Sequence, residues 1–410
     1  MSNNLILSIE TSCDDTAISI LKSSAQGLAI LASEVSSQIK LHAKWGGVVP
    51  NLAAREHVKN IDHLLDFALR EAGVSPEHID VIAVTQGPGL IPALLVGVSY
   101  AKTLSYLWEK PLLGIHHIEG HIYANFISVN PKSQILNSKQ IRNTEITNKK
   151  ESSIVQNSKF KIQNSPSIKF PILCLVVSGG HTQLVLMKDH LQYEIIGQTL
   201  DDAVGEAFDK VARILGIGYP GGPVVSAMAE KFQDPNDKCQ KEKTRNQNGS
   251  YRMQDTKYGI QFPRPMLNKK NYDFSFSGLK TAVLYETKKH PELLKDKKYL
   301  TEICHEFQQA TVDVLVAKTI KAAEAHQPKT ILLAGGVSAN KELRAQLGEA
   351  IKKNLSEVSY IIPALSLTGD NAAMIAAAAA FRWNKMSDAQ RKKSISAWKT
   401  MQPHANLKMK

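Results

Sequence analysis

Leu5-Ile6-Leu7-Ser8-Ile9-Glu10-Thr11-Ser12-Cys13-Asp14-Asp15-Thr16-Ala17-Ile18-Ser19-Ile20-Leu21 reads as a strand, a polar turn and a returning strand. The same plan comes back at Ile172 to Met187, displaced by 167 positions, with Ser178-Gly179-Gly180-His181 as its turn. The two stretches share the plan and not the residues. An internal duplication of two α/β lobes follows from that repeat. A turn of small polar residues can hold phosphate oxygens on backbone N–H groups, or a cation on carboxylates. A bare turn is the plain alternative.

Outward from the first hairpin, Pro50 to Ala72 carries apolar residues near helical period, and Gly73 and Pro76 end it. Val81 to Val84 is a buried strand. Thr85-Gln86-Gly87-Pro88-Gly89 is a turn, and a small-residue helix runs on through Leu107. Leu112 to Ile115 is a strand that leads into His116-His117-Ile118-Glu119-Gly120-His121. Beyond the second hairpin, Asp202 stands where an N-cap belongs, before a helix in which Glu206 and Asp209 share a face. Tyr219 to Pro223 is a turn, and Phe274 to Lys280 alternates like a short strand. Ile303 to Ala325 is a long helix and Thr330 to Leu333 a strand. Gly335 to Asn340 is a third strand-to-glycine turn, of the kind that lets backbone approach a ligand closely.

Residues four apart on an α-helix lie about 40° apart, so His117 and His121 project side by side. Two neighbouring imidazoles can share a metal ion, or simply make ordinary hydrogen bonds. Asp370, before the helix Ala372 to Trp383, is either that helix's N-cap or the missing oxygen ligand. Two imidazoles and one carboxylate suit zinc or ferrous iron with open positions for substrate. A metallopeptidase of HExxH type is the rival. There the glutamate follows the first histidine, whereas Glu119 is two residues from each and points roughly 160–200° away around a helix.

The chain has 410 residues, 43% hydrophobic and 6% aromatic, as expected of a globular α/β protein of two or three domain-sized units. Four scattered cysteines form no CxxC pair, which fits a reducing cytoplasm. No signal peptide is visible, and Ala372 to Phe381 is too short for a bilayer, which takes about 20 residues. The net charge of +12 is peripheral. Residues 382–410 hold eight basic and one acidic residue, and residues 130–169 hold eight basic and two acidic, so the body is slightly acidic. Contact with RNA by charge would fall to the tail and loops; plain solvation is the alternative. The polar stretch 130–169 is expected to be a flexible insertion, with a second polar insertion at 233–258.

Ile9 to Asp14, His117 to His121, Val177 to Thr182, Gly205 to Lys210, Tyr219 to Pro223, Phe274 to Lys280, Gly335 to Asn340 and Asp370-Asn371 together resemble the TsaD family, block by block and in order. The resemblance implies an α/β, two-lobed actin and sugar-kinase-like (ASKHA) fold with duplicated lobes around a central nucleotide cleft. Residues 1–129 would form the first lobe, with a helix from 370–400 packing back on it. Residues 170–369 would form the second lobe and 401–410 a basic tail. It implies transfer of a threonylcarbamoyl group from threonylcarbamoyl-AMP to N6 of adenosine 37 in tRNA, assisted by one divalent ion, Fe2+ or Zn2+. His117, His121 and Asp370 match the family's metal ligands. Val176, Val177, Ser178, Gly179, Gly180, Asp209, Gly222 and Asn340 match its substrate-binding positions. Expected partners are tRNA and accessory proteins of the TsaB and TsaE type, with no membrane. No general base stands out. A small-molecule kinase of the same fold class and a non-catalytic tRNA scaffold are the remaining rivals.

Overall fold

Alternation decides which face each strand presents. In β1 (Asn4–Glu10), Leu7 and Ile9 pack one way, and Ile6, Ser8 and Glu10 the other. The structure is a computed structural model and describes residues 3–127, 168–232, 243–245, 251–253 and 257–409. β1 pairs antiparallel with β2 (Asp15–Ser24), which pairs with β3 (Gly27–Ser37). On its other edge β1 runs parallel to β4 (Val81–Gly87), and β4 to β5 (Leu112–His116). The order is β3-β2-β1-β4-β5.

The second sheet repeats this topology strand for strand. β6 (Ile172–Val177), β7 (Thr182–Asp189) and β8 (Gln192–Gln198) form the antiparallel half, and β11 (Thr330–Ala334) and β12 (Ser359–Ile361) the parallel half, in the order β12-β11-β6-β7-β8. The duplication read from two hairpins therefore extends over five strands in each lobe. β9 (Lys243–Arg245) and β10 (Tyr251–Met253) pair antiparallel by themselves inside the second polar insertion. The remainder of that insertion up to 256, and residues 128–167 of the first, lie outside the described residues.

α1 (Ile39–Ala43) is a single short turn of helix. α2 (Pro50–Ala72) ends at Gly73, which takes the left-handed conformation at φ 64°. With α3 (Ile91–Trp108) it covers the outer face of the first sheet through Ile61, Leu65, Val98, Ala101 and Leu104. In the second lobe α5 (Val204–Leu215), α6 (Gly221–Phe232), α7 (Ser277–Lys289), α8 (Lys297–His326) and α9 (Lys341–Asn354) cover the outer face, on Leu173, Leu175 and Val177.

The inner faces of both sheets meet in one apolar layer. Ile6, Val81 and Ile115 from the first sheet and Ile172, Cys174 and Val176 from the second close on α4 (His117–Tyr123) and α10 (Ala372–Lys385). The alanine run of α10 is fully buried and lets that helix lie close to its neighbours. Gly120 of α4 faces it so closely that a Cβ there would sit 2.8 Å from Ile375 Cδ1. Gly120→Ala gains about 1 kcal/mol of helix propensity. It loses roughly 1–3 kcal/mol to overpacking in a layer with no slack. The expected result is a net loss of stability, read as a lower urea midpoint with an unchanged slope.

Four sequence expectations need correction. Ser277 opens a helix where a strand was expected, because the Asp201 carboxylate gathers the Phe276 and Ser277 amides and the Ser275 and Ser277 hydroxyls into a turn. Gly221 already begins α6 inside the stretch read as a turn. Asp202 does not cap α5; Ala203 stands there, and Thr182 Oγ1 accepts the Val204 amide at 2.8 Å. The tail beyond Thr400 is not merely solvated: its backbone is hydrogen-bonded to the Gln86 backbone and side chain, the Gly89 amide and the His116 ring.

Candidate metal centre

The turns that follow β1, β4, β5, β6 and β11 gather at the carboxyl ends of their strands, where open α/β sheets bind ligands. β5 passes directly into α4, so His117 and His121 stand on the first turns of a helix in the inter-lobe layer. Asp370 sits just before α10. It is not that helix's cap: Asn371 Oδ1 accepts the Met374 amide at 3.0 Å. The Asp370 carboxylate is left to face the histidines. Its Oδ1 lies 3.4 Å from His117 Nε2 and 3.2 Å from His121 Nε2, and one donor atom from each of the three residues falls within 4.8 Å of the others.

The residues fit a divalent ion. Atoms bound to one ion at about 2.1 Å in tetrahedral geometry sit roughly 3.4 Å apart. His121 is fully buried, and neither of its nitrogens makes a well-formed hydrogen bond. Burial lowers its pKa, so it is a neutral imidazole with a lone pair to offer. The rings of His117 and His121 meet edge to face, 4.7 Å between centroids.

His117 is oriented from behind. Glu10 is fully buried, and its Oε2 lies 2.9 Å from His117 Nδ1. The same carboxylate accepts the Ser12 amide at 2.5 Å and the Thr85 hydroxyl at 2.7 Å. With a proton on Nδ1 held by Glu10, Nε2 is the nitrogen turned to the centre, an arrangement that raises ligand basicity. Burial works against the His117 imidazolium, but Asp370 and Glu10 outweigh it and raise its pKa to about 9. Burial also opposes ionisation of Asp370, yet the two histidines hold its pKa below the usual carboxylate range. Bringing in a cation replaces that proton. Sequence reading missed Glu10, although it shares with Ile6 and Ser8 the strand face that points inward.

Glu119 points away from the centre, as helix geometry requires. It is 1% exposed and accepts Tyr193 Oη at 2.8 Å and Arg382 Nη2 at 2.7 Å, tying α4 to β8 and α10. It is in no position to activate metal-bound water.

The other positions divide. Val176 and Val177 are fully buried in opposite cores, so their side chains meet no ligand. Gly179 and Gly180 are exposed in a turn fixed by Ser178 N–H to His181 O, 2.8 Å, and by the Gly205 amide on Ser178 O, 3.2 Å. Gly335, at φ 90°, packs its Cα against Val177 O where a side chain would clash. Asp209 is half-buried. Its Oδ1 accepts the Gly221 amide at 2.6 Å, and desolvation raises its pKa. Gly222 has open space beside it. Asn340 is occupied: it caps α9 through Leu343 N, 2.9 Å, and donates to Ser226 Oγ and Gln308 Oε1. The lobes' turns face each other. His181 feels the charges of His117, His121 and Asp370, and Asp209 that of Asp14.

Known proteins resemble this chain over most of its length. A family model described as TsaD, tRNA N6-adenosine threonylcarbamoyltransferase, matches residues 29–138 and 152–377. A protein of that name from Listeria monocytogenes serotype 4b (strain CLIP80459) is 43% identical over 376 residues, 92% of this chain and 90% of the relative. One from Persephonella marina is 44% identical over 374 residues, 90% and 88% respectively. Among solved structures, full-length HypF in its phosphate- and nucleotide-bound form aligns over 94% of this chain and 48% of its own, with 12% identity and a TM-score of 0.50. HypF from T. kodakarensis aligns over 93% and 48%, with 9% identity and a TM-score of 0.51. At that identity the likeness shows the fold alone, and the chain spans about half the length of those structures.

Proposed function

The chain belongs to the TsaD family of tRNA N6-adenosine threonylcarbamoyltransferases, and on that premise we propose how its residues carry the transfer. It is an acyltransferase acting on tRNA. Neither the metallopeptidase nor the small-molecule kinase reading is favoured by a match over nine-tenths of the chain. In the reaction, adenosine N6 attacks the carbamoyl carbon of threonylcarbamoyl-AMP. The new N–C bond forms, the C–O bond to phosphate breaks, AMP leaves with the electron pair, and N6 gives up a proton. The mixed anhydride is already activated. Holding the two reactants in register is the main task, and that can be worth ~7–11 kcal/mol.

His117, His121 and Asp370 would hold one divalent ion, Fe2+ or Zn2+ by donor type. A bound ion supplies Lewis-acid polarisation of the carbamoyl or threonyl oxygens. Glu10 keeps His117 in the tautomer that presents Nε2. The Gly179-Gly180 turn offers uncrowded backbone to the phosphate. Asp209 offers a second carboxylate oxygen to a ribose hydroxyl, while its first is held by Gly221. Asn340 caps α9 through Leu343 and is steadied by Ser226 and Gln308, which holds its side chain in place for the nucleotide. Partner proteins of the pathway supply the adenylate, and accessory proteins of the TsaB and TsaE type assist turnover, in the cytoplasm. Among the described residues no helix is long and apolar enough to cross a membrane.

The observation that carries the reading is the convergence of three donors, from the middle and the far end of the chain, on one point between the lobes. The test combines the protein with accessory proteins, threonine, bicarbonate, ATP and unmodified tRNA, followed by mass analysis of the digested nucleosides. Threonylcarbamoyladenosine is the expected product. Its absence, where a family relative under the same conditions produces it, would overturn the reading.

A further inference from the structure

We infer that Trp45 is a stacking platform for an unstacked nucleobase of the tRNA loop that the cleft receives; this rests on the transferase reading above. Trp45 is 68% exposed, more than any other large apolar side chain among the described residues. Its backbone is nevertheless fixed. The Trp45 amide donates to His42 O at 2.9 Å, the Gly46 amide to Ala43 O at 3.2 Å, and the Val49 amide to His42 Nδ1 at 3.3 Å. His42 is itself fully buried and locked to Gln38 Oε1 at 3.0 Å, and Gln38 reaches on to Ala53 O. An exposed indole on so firm a base is presented rather than loose.

The loop that carries it crosses between the lobes. Arg213 of α5, in the second lobe, donates to Gly46 O in the first. Gly46 and Gly47 have φ of 65° and 159°, and a Cβ on Gly47 would lie 3.1 Å from the Arg213 guanidinium. The left-handed backbone at Gly46 suits glycine, and a side chain at Gly47 would make the arginine shift. Arg213 is one turn beyond Asp209, whose ionisation it favours, and Asp14 on the first lobe acts on both Asp209 and Tyr219. Trp45, next to Gly46, is therefore carried on the loop where the two lobes touch.

The chemistry selects the occupant. An exposed planar aromatic on a firm loop offers π-face area for a single ring, and every nucleobase has a matching face. Proteins that read single-stranded RNA loops splay bases out and stack them on aromatic side chains. Bringing N6 of one adenosine into the cleft separates it from its neighbours, and a neighbour left without a stacking partner is the base assigned to Trp45.

The test measures binding of an unmodified anticodon stem-loop RNA to the full chain, with metal affinity as the control for folding. Trp45→Ala should weaken RNA binding about 5- to 150-fold, the range found for loss of one stacked base. Trp45→Phe should keep most of the affinity, and the wild-type indole fluorescence should be quenched by RNA in a way that Trp45→Phe lacks. Metal affinity should be the same in all three. Wild-type RNA affinity in Trp45→Ala, or loss of accessory-protein capture with RNA binding intact, would overturn the inference and leave the transferase reading standing. A wild-type chain that binds no such RNA would overturn both.

Discussion

Replacing His121 by Ala is expected to abolish binding of the divalent ion proposed for the centre while leaving the fold in place. The two effects separate at this position because neither nitrogen of His121 is spent on a good internal hydrogen bond. Removing the ring deletes a ligand, its 3.2 Å contact with Asp370 and some packing against His117, but strands no other buried charge. At His117 the same change also strands Glu10, a fully buried carboxylate that would keep only the Ser12 amide and the Thr85 hydroxyl. His117→Ala is therefore expected to lose both the ion and stability, since an uncompensated buried charge is expensive. Asp370→Asn removes the one anionic ligand without changing shape. Glu10→Gln leaves all three ligands but loosens the orientation of His117, and an outer-shell loss of that kind costs about 10–100-fold in affinity. The three ligand variants should lose more than that. Thermal unfolding with and without added Zn2+ reads the series apart from catalysis. An ion at 100 times its dissociation constant stabilises the native state by about 2.7 kcal/mol. Wild type should shift upward, Glu10→Gln should need more ion for the same shift, and His121→Ala should not respond. His121→Ala holding the ion as wild type does would refute the three-donor centre.

How much of this could be read beforehand differs between sheet and site. The hairpin Leu5 to Leu21 and its counterpart at Ile172 to Met187 are strands buried on both faces, which leave a clear apolar signature, and the lobe duplication follows from them. β8 escaped because its polar, half-exposed residues give no such run, whereas β3 carries the apolar run Leu28 to Ala32 and was legible but not read. His117 and His121 were legible through local helical spacing. Asp370 was ambiguous, because a carboxylate before a helix is also the usual cap. The contest was decided by its neighbour, since Asn371 takes the capping bond and frees Asp370. Glu10 was hidden for a different reason. Its role depends on which face of β1 turns inward, and that is fixed by α4 and α10 packing there. The surroundings of Asn340 were hidden as well: Ser226 and Gln308, which hold its side chain, lie far away in sequence.

Deleting residues 402–410 is expected to destabilise the first lobe and weaken metal binding as well, although none of these residues is a ligand. The tail crosses the end of β4 and β5 on backbone bonds. Gln86 Nε2 donates to Gln402 O at 2.8 Å, His404 N to Gln86 O at 2.8 Å, and Gly89 N to Ala405 O at 3.1 Å. Gly87 lets it pass, since a side chain there would collide with the His404 carbonyl. The fourth bond reaches the centre: His116 Nε2 lies 2.9 Å from Leu407 O, and its Nδ1 accepts the Ile118 amide at 3.2 Å. An imidazole accepting at Nδ1 carries its proton on Nε2, so the Leu407 carbonyl selects the tautomer that caps α4. Burial keeps that ring neutral, pushing its pKa down to about 4. α4 has seven residues and two of the three ligands, so it depends on its cap more than a long helix would. Four bonds at roughly 0.5–1.5 kcal/mol each, offset in part by the freedom the tail regains, give a loss of about 2–4 kcal/mol. Loss of the cap alone is worth about 1 kcal/mol, or roughly a fivefold fall in metal affinity. His116→Ala should reproduce the affinity loss with the tail still present. Hydrogen exchange at residues 117–123 should speed up in both variants. A truncated chain that unfolds at the wild-type denaturant concentration and binds Zn2+ as tightly would show the tail to be decoration.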